Sequence, residues 1–193
     1  MRARLLLLLL LGATLMGVPS ANAAVPSPAT SHVDPCLVIC PNGDFAFHVI
    51  VRDAANNPVG GSSVVINFCN CPGVHLCSGP CDLLATSDAT GAVTFQIKGG
   101  GICSAATVSA DGVILAIRAV ASPDQDGDLS VSAADIGIVN GKVGSADPTA
   151  DFDCDGSVTA ADVGIATAHG SHVCQGPVPT EPRSWGRLKA FYR

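Results

Sequence analysis

Glutamate is almost missing from this 193-residue chain: Glu181 stands alone beside fifteen Asp. Helix surfaces draw heavily on Glu, whereas Asp serves turns and metal loops, so the skew argues against a helical bundle. Bases are scarce too, with 10 Lys and Arg against 16 acids. That sign is the wrong one for the phosphate backbone of nucleic acid. Tryptophan and tyrosine occur once each, at Trp185 and Tyr192. There is no G-x-S-x-G nucleophile elbow and no H-E-x-x-H helix, the signatures of serine hydrolases and zinc proteases. A glycosidase carboxylate pair is not called for either, because turns and loops account for the Asp residues. The expectation is a protein that is not an enzyme. The longest apolar run, Leu5 to Val18, falls short of the ~20 residues that cross a bilayer.

What is present begins with an export signal. Met1-Arg2-Ala3-Arg4 is a short basic start, the apolar run follows, and Ala21-Asn22-Ala23 offers the small-x-small pattern cut by signal peptidase. We expect residues 1–23 to be removed and the product to be secreted, extracellular or at the cell surface. No Cys follows the cut, so a lipid anchor is not expected. All nine Cys lie beyond it, which in an exported chain points to disulfides. The odd count leaves one Cys free or paired between molecules. Charge then divides the remainder: residues 24–121 hold 6 acids and 3 bases, residues 122–174 hold 9 Asp and Lys142 alone, and residues 175–193 hold one acid and 4 bases.

Residues 34–121 have period two. Phe45, Phe47, Val49 and Val51 alternate with Ala46, His48, Ile50 and Arg52, as in a strand with one buried face. Asp53 to Pro58 is turn chemistry, and Ser63 to Phe68 reads as the next strand. Asp88-Ala89-Thr90-Gly91 turns into Val93, Phe95 and Ile97. Cys103 to Ala110 and Val113 to Ala119 flank Asp111-Gly112, a strong two-residue hairpin signal. Six or seven short strands in about 90 residues fit an antiparallel sandwich. The phrases Val51-Arg52-Asp53…Asn57-Pro58-Val59 and Ser87-Asp88…Gly91-Ala92-Val93-Thr94-Phe95 resemble the bacterial Ig-like modules of surface adhesins and cell-wall proteins. That resemblance implies a spacer or display module rather than a catalyst.

The acidic segment, 122–174, is a duplication. Residues 124–138 lie over residues 151–165 at an offset of 27 with no gap. Asp124, Asp126, Asp128 and Asp135 in one copy match Asp151, Asp153, Asp155 and Asp162 in the other, at positions 1, 3, 5 and 12 of a twelve-residue loop. This is the ligand spacing of an EF-hand loop. Calcium takes six to eight oxygens at about 2.3–2.6 Å, and alternate residues of a tight loop turn carboxylates inward. The carbonyl at position 7, Ser130 or Ser157, supplies a further oxygen, and position 9, Ser132 or Thr159, bridges through water. Ser132-Ala133-Ala134-Asp135 and Thr159-Ala160-Ala161-Asp162 also read as helix starts with a capping hydroxyl. Two Ca²⁺ ions are the expected cofactors. Leu129 occupies position 6 of the first loop, where Gly156 supplies the usual sharp turn in the second, so the second site is expected to be the more regular.

A duplicated loop-plus-helix with Asp at position 12 is similar to a type I dockerin. The resemblance implies a non-catalytic plug that binds a cohesin-like module, often in polysaccharide-degrading or cell-surface systems. It also implies partner contacts at positions 10 and 11, here Ala133, Ala134, Ala160 and Ala161. The expected architecture is a mainly β N-terminal Ig-like sandwich followed by a small α dockerin-like module of paired EF-hand-type loop-helix units. The alternative is a calcium-rigidified structural or adhesive surface protein with no cohesin partner.

Three further features remain. The loop Cys69 to Cys81 carries four Cys and His75, but export favours disulfides over zinc and the spacing lacks paired C-x2-C knuckles. Connectivity among these Cys, Cys36, Cys40 and Cys103 stays open. Cys154, at the non-ligand position 4 of the second loop, is expected to bond Cys174, with His169 and His172 on the surface between them. Finally, Gln175 to Pro182 reads as a linker, and Trp185, Leu188, Phe191 and Tyr192 in the basic tail suit either a frayed end or a short docking helix.

Overall fold

The computed structural model describes residues 24–175. The expected signal segment and the basic aromatic tail lie outside the described residues, Gln175 apart. Ten strands form among the described residues: β1 His32–Val33, β2 Leu37–Val38, β3 Ala46–Ile50, β4 Ser63–Asn67, β5 His75–Leu76, β6 Asp82–Thr86, β7 Ala92–Gln96, β8 Gly99–Gly100, β9 Cys103–Ala110 and β10 Val113–Ala121. Two helices follow, α1 Ala133–Gly141 and α2 Ala160–Ala168. The protein is therefore mainly β with a short helical pair.

The strands form a three-stranded sheet, β1-β3-β7, a five-stranded sheet, β2-β10-β9-β4-β6, and a two-stranded ribbon, β5-β8. The pairs are antiparallel except β2 with β10. Asp111 and Gly112 both have positive φ, 47° and 81°, the conformation that matches the twist of a two-residue hairpin, and they set Ala110 opposite Val113. Phe47 and Val49 of β3 are buried against Val64 and Ile66 of β4, Val108 of β9 and Val120 of β10. Each such side chain contributes about 1.5–3 kcal/mol by leaving water.

A second core joins this β-rich part to the acidic repeat. Val38 of β2 and Ala121 of β10 pack with Val139, Ala150, Phe152, Val158 and Ala166 of the repeat, and Phe45 lies against the same cluster. The chain does not pass between the two parts through a solvated linker, since Ser122, Asp124 and Gln125 are all buried.

Four disulfides form among the described residues. Cys69–Cys81 and Cys71–Cys103 staple the long loop, while Cys36–Cys154 and Cys77–Cys174 tie the β-rich part to the repeat. The expected Cys154–Cys174 bond is not made, for a geometric reason. The chain leaving α2 folds back along the first loop, where Ser130 bridges Val173 and the Cys174 N–H donates to Leu129 O at 2.9 Å. Cys174 is thereby carried to Cys77, 5.4 Å away between Cα atoms. Cys154, left on the second loop, reaches Cys36 at 6.0 Å. Cys40 is the unpaired ninth cysteine and is fully buried.

Candidate metal centre

The two loops share most of their hydrogen bonds, differing at position 1, where Asp124 also accepts from the Gly127 N–H and Asp151 from the Asp155 N–H. At position 1, Asp124 accepts from the Leu129 N–H and Asp151 from the Gly156 N–H, each at 2.9 Å. At position 3, Asp126 accepts from the Asp128 N–H and Asp153 from the Asp155 N–H, at 3.2 and 3.3 Å. Position 5 accepts from position 7: the Ser130 N–H donates to Asp128 and the Ser157 N–H to Asp155, both at 2.9 Å. Position 12 reaches back across the loop, where Asp135 accepts from the N–H groups of Gln125 and Ser132, and Asp162 from those of Phe152 and Thr159. At positions 1 and 12 backbone N–H groups reach both carboxylate oxygens, which fixes where these side chains lie.

The carboxylates at positions 1, 3 and 12 converge in each copy. Oxygens of Asp124, Asp126 and Asp135 lie within 4.8 Å of one another, as do those of Asp151, Asp153 and Asp162. Three carboxylates brought this close leave room for one cation to be shared among their oxygens. Asp128 and Asp155 lie outside these triplets, beside them in the loop. Asp124, Asp135 and Asp162 are fully buried and Asp151 nearly so. Among the described residues no Lys or Arg pairs with any of them; the one lysine bridge, from Lys142, goes to Asp147. Burial first, with Asp135 and Asp128 adding to it, pushes the Asp124 carboxyl up to about 6 against the pull of the Gly127 and Leu129 N–H groups. Asp153 is raised as well, by desolvation and by its neighbours Asp162, Asp155 and Asp151. Each triplet has two buried carboxylates and one exposed, Asp126 or Asp153, and clustered like charges of this kind are stabilised by a hard cation.

The position 9 hydroxyls act as helix caps. Ser132 accepts from the Ala134 N–H and Thr159 from the Ala161 N–H, and each helix completes a capping box with Asp135 or Asp162. Ala133, Ala134, Ala160 and Ala161 are exposed at the two helix starts.

The duplication extends further than its acidic residues reveal. Positive φ recurs at Gly127 and Cys154, at Leu129 and Gly156, and at Gly144 and Ser171, each pair again separated by 27 residues. The two copies also exchange backbone bonds. Val131 N–H donates to His172 O and Ser171 N–H to Val131 O; correspondingly, Val158 N–H donates to Ser145 O and Gly144 N–H to Val158 O, all at 2.8 Å. Each loop is thus paired with the segment that ends the other copy's helix. Sequence reasoning missed this exchange because its donors and acceptors are main-chain groups. His169 and His172, expected on the surface, are instead partly buried against Asp44. No helix among the described residues is long and apolar enough to cross a membrane. No family model matches the chain, and no curated protein matches it.

Proposed function

We propose that this chain is a secreted, non-catalytic protein that binds two calcium ions and attaches to a protein partner through the exposed helix starts of its repeat. One observation carries the reading: in both copies the carboxylates at positions 1, 3 and 12 of an EF-hand-spaced loop converge into one cluster of oxygens. Asp124, Asp126 and Asp135 would hold one ion and Asp151, Asp153 and Asp162 the other, with Asp128, Asp155 and the carbonyls of Ser130 and Ser157 completing the shells. Bound calcium would neutralise the clustered charge and couple ion uptake to folding. The partner this reading implies is cohesin-like, meeting the dockerin-like Ala133-Ala134 or Ala160-Ala161. The β-rich part would be an Ig-like sandwich serving as spacer, in a polysaccharide-degrading or cell-surface assembly.

Calorimetric titration of the chelator-treated chain is expected to show two calcium ions, one in Asp135→Asn or Asp162→Asn, and none in the double variant. A pull-down with a cohesin-type module is expected to succeed in calcium and fail in chelator. Arg at both Ala133 and Ala134, and at both Ala160 and Ala161, would then abolish capture together. No calcium uptake would refute the reading outright.

A second reading is favoured by the shared core and by Cys36–Cys154 and Cys77–Cys174, which fix the repeat against the β-rich part. On it the ions rigidify a structural or adhesive surface protein. Calcium uptake without any capture would select it.

A further inference from the structure

We propose a third metal site, for zinc, built by Cys40, Asp44, His169 and His172 where the β-rich part meets the end of α2. Two turns face one another there. Cys40-Pro41-Asn42-Gly43 is closed by the Gly43 N–H on Cys40 O at 2.8 Å, with Gly43 at φ 73°, and it delivers Asp44 back beside Cys40. His169-Gly170-Ser171-His172 is closed by the His172 N–H on His169 O at 3.1 Å, with Ser171 at φ 73°. The turns bring together one sulfur, two imidazole nitrogens and one carboxylate oxygen, all within 4.8 Å of one another.

Two of the three donor spacings match a tetrahedral shell, and the third, His172 to Asp44, is a shorter direct contact that the ion would part. His172 Nδ1 lies 3.0 Å from Asp44 Oδ2 and 3.5 Å from Cys40 Sγ, and His169 Nε2 lies 3.8 Å from Asp44 Oδ2. Zinc bonds of about 2.0–2.1 Å to nitrogen and about 2.3 Å to sulfur set tetrahedral donors roughly 3.3–3.8 Å apart. His169 is also held in the right tautomer. Its Nδ1 lies 2.8 Å from the Ile165 carbonyl, to which it donates, leaving the Nε2 lone pair to face the site. A ligating histidine is commonly oriented by such a bond. Phe45 stacks on the His169 ring at 4.7 Å and shields it.

The donor set selects the metal. One thiolate, two imidazoles and one carboxylate suit a borderline cation such as zinc, not calcium. Four protein ligands leave no open position, so the site is structural. It also gives the ninth cysteine a role: Cys40 is fully buried and so cannot bridge to a second molecule. The repeat itself singles the place out. The positions 27 residues before His169 and His172 are Lys142 and Ser145, so the first copy lacks both ligands.

The test uses the whole chain with its disulfides intact, freed of metal by chelation and then given saturating calcium to fill the acidic loops. Zinc titration is expected to show one tightly bound ion per chain. Cobalt(II) in its place is expected to give a tetrahedral visible spectrum with a sulfur-to-metal charge-transfer band. Cys40→Ser should abolish that band. His172→Ala, at a partly exposed residue, should abolish stoichiometric uptake while near-ultraviolet circular dichroism and the disulfide map stay unchanged, so the outcome does not depend on the buried variant folding. No uptake at micromolar zinc, uptake undiminished in His172→Ala, or an octahedral cobalt spectrum without the sulfur band would overturn the assignment. The two acidic loops are scored separately by their calcium titration.

Discussion

At the scale of single residues, backbone strain separates the two acidic loops. Leu129 and Gly156 hold the same left-handed conformation, φ 69° and 90°, which costs a side-chain-bearing residue about 1–2 kcal/mol. A Cβ on Gly156 would meet nothing within 4 Å, so Gly156→Ala isolates the conformational cost. It is expected to lower stability by about 1 kcal/mol and to weaken calcium binding at the second loop only, as read by thermal melts and titration. Asp34 gives the pH dependence. Partial burial works against its charge, but the His48 N–H and the rings of His48 and His32 outweigh burial and hold the carboxyl below its ordinary range. The unfolded chain therefore binds more protons in that window. Stability from Asp34 is present above the ordinary carboxylate value and is lost as pH falls through the lowered one. Asp34→Asn is expected to flatten the acid limb of the stability curve, measured by urea melts between neutral pH and about pH 3.

At the scale of elements, α1 and α2 are nine residues each, below the ~12–15 at which isolated helices become even marginal in water. Their persistence rests on the capping boxes and on packing of Val139 and Ala166. Thr159→Ala is expected to cost about 1 kcal/mol through loss of the cap on the Ala161 N–H, while Asp162 keeps its bonds from the Phe152 and Thr159 N–H groups, so ion uptake at the second loop is expected to change little. Both helix starts were legible in the sequence, since Ser132 and Thr159 precede an acid by three residues. The strands Cys103–Ala110 and Val113–Ala121 were legible from Asp111-Gly112 and the alternation around it. The ribbon of β5 and β8 was not, because Gly99 and Gly100 carry no side-chain pattern and pair only through main-chain groups. The cluster of Cys40 and Asp44 with His169 and His172 was hidden for another reason: its halves lie more than 120 residues apart in the chain, and each half alone reads as a turn.

At the scale of the whole molecule, the division suggested by charge is overlaid by covalent and packed contact. Cys36–Cys154 and Cys77–Cys174 close spans of 118 and 97 residues, and a loop near 100 residues confers about 4.7 kcal/mol in the chain-entropy model. The intact chain is expected to melt in a single calorimetric transition. Removing Cys36–Cys154 by double Ala substitution is expected to cost about 2–5 kcal/mol and to split that transition, with the acidic repeat melting first. A variant that still melts as one unit at the same temperature would show that the second core and Cys77–Cys174 suffice to join the parts.

The exchange of backbone bonds between the two copies sets a limit on number. Val131 is completed by Ser171 and His172, and Val158 by Gly144 and Ser145, so each copy finishes the other at these positions. Two is therefore a closed set. A third 27-residue unit added in series would find every bridging position occupied, and the repeat cannot lengthen into a filament or solenoid by duplication. Growth of this architecture would have to proceed by adding pairs.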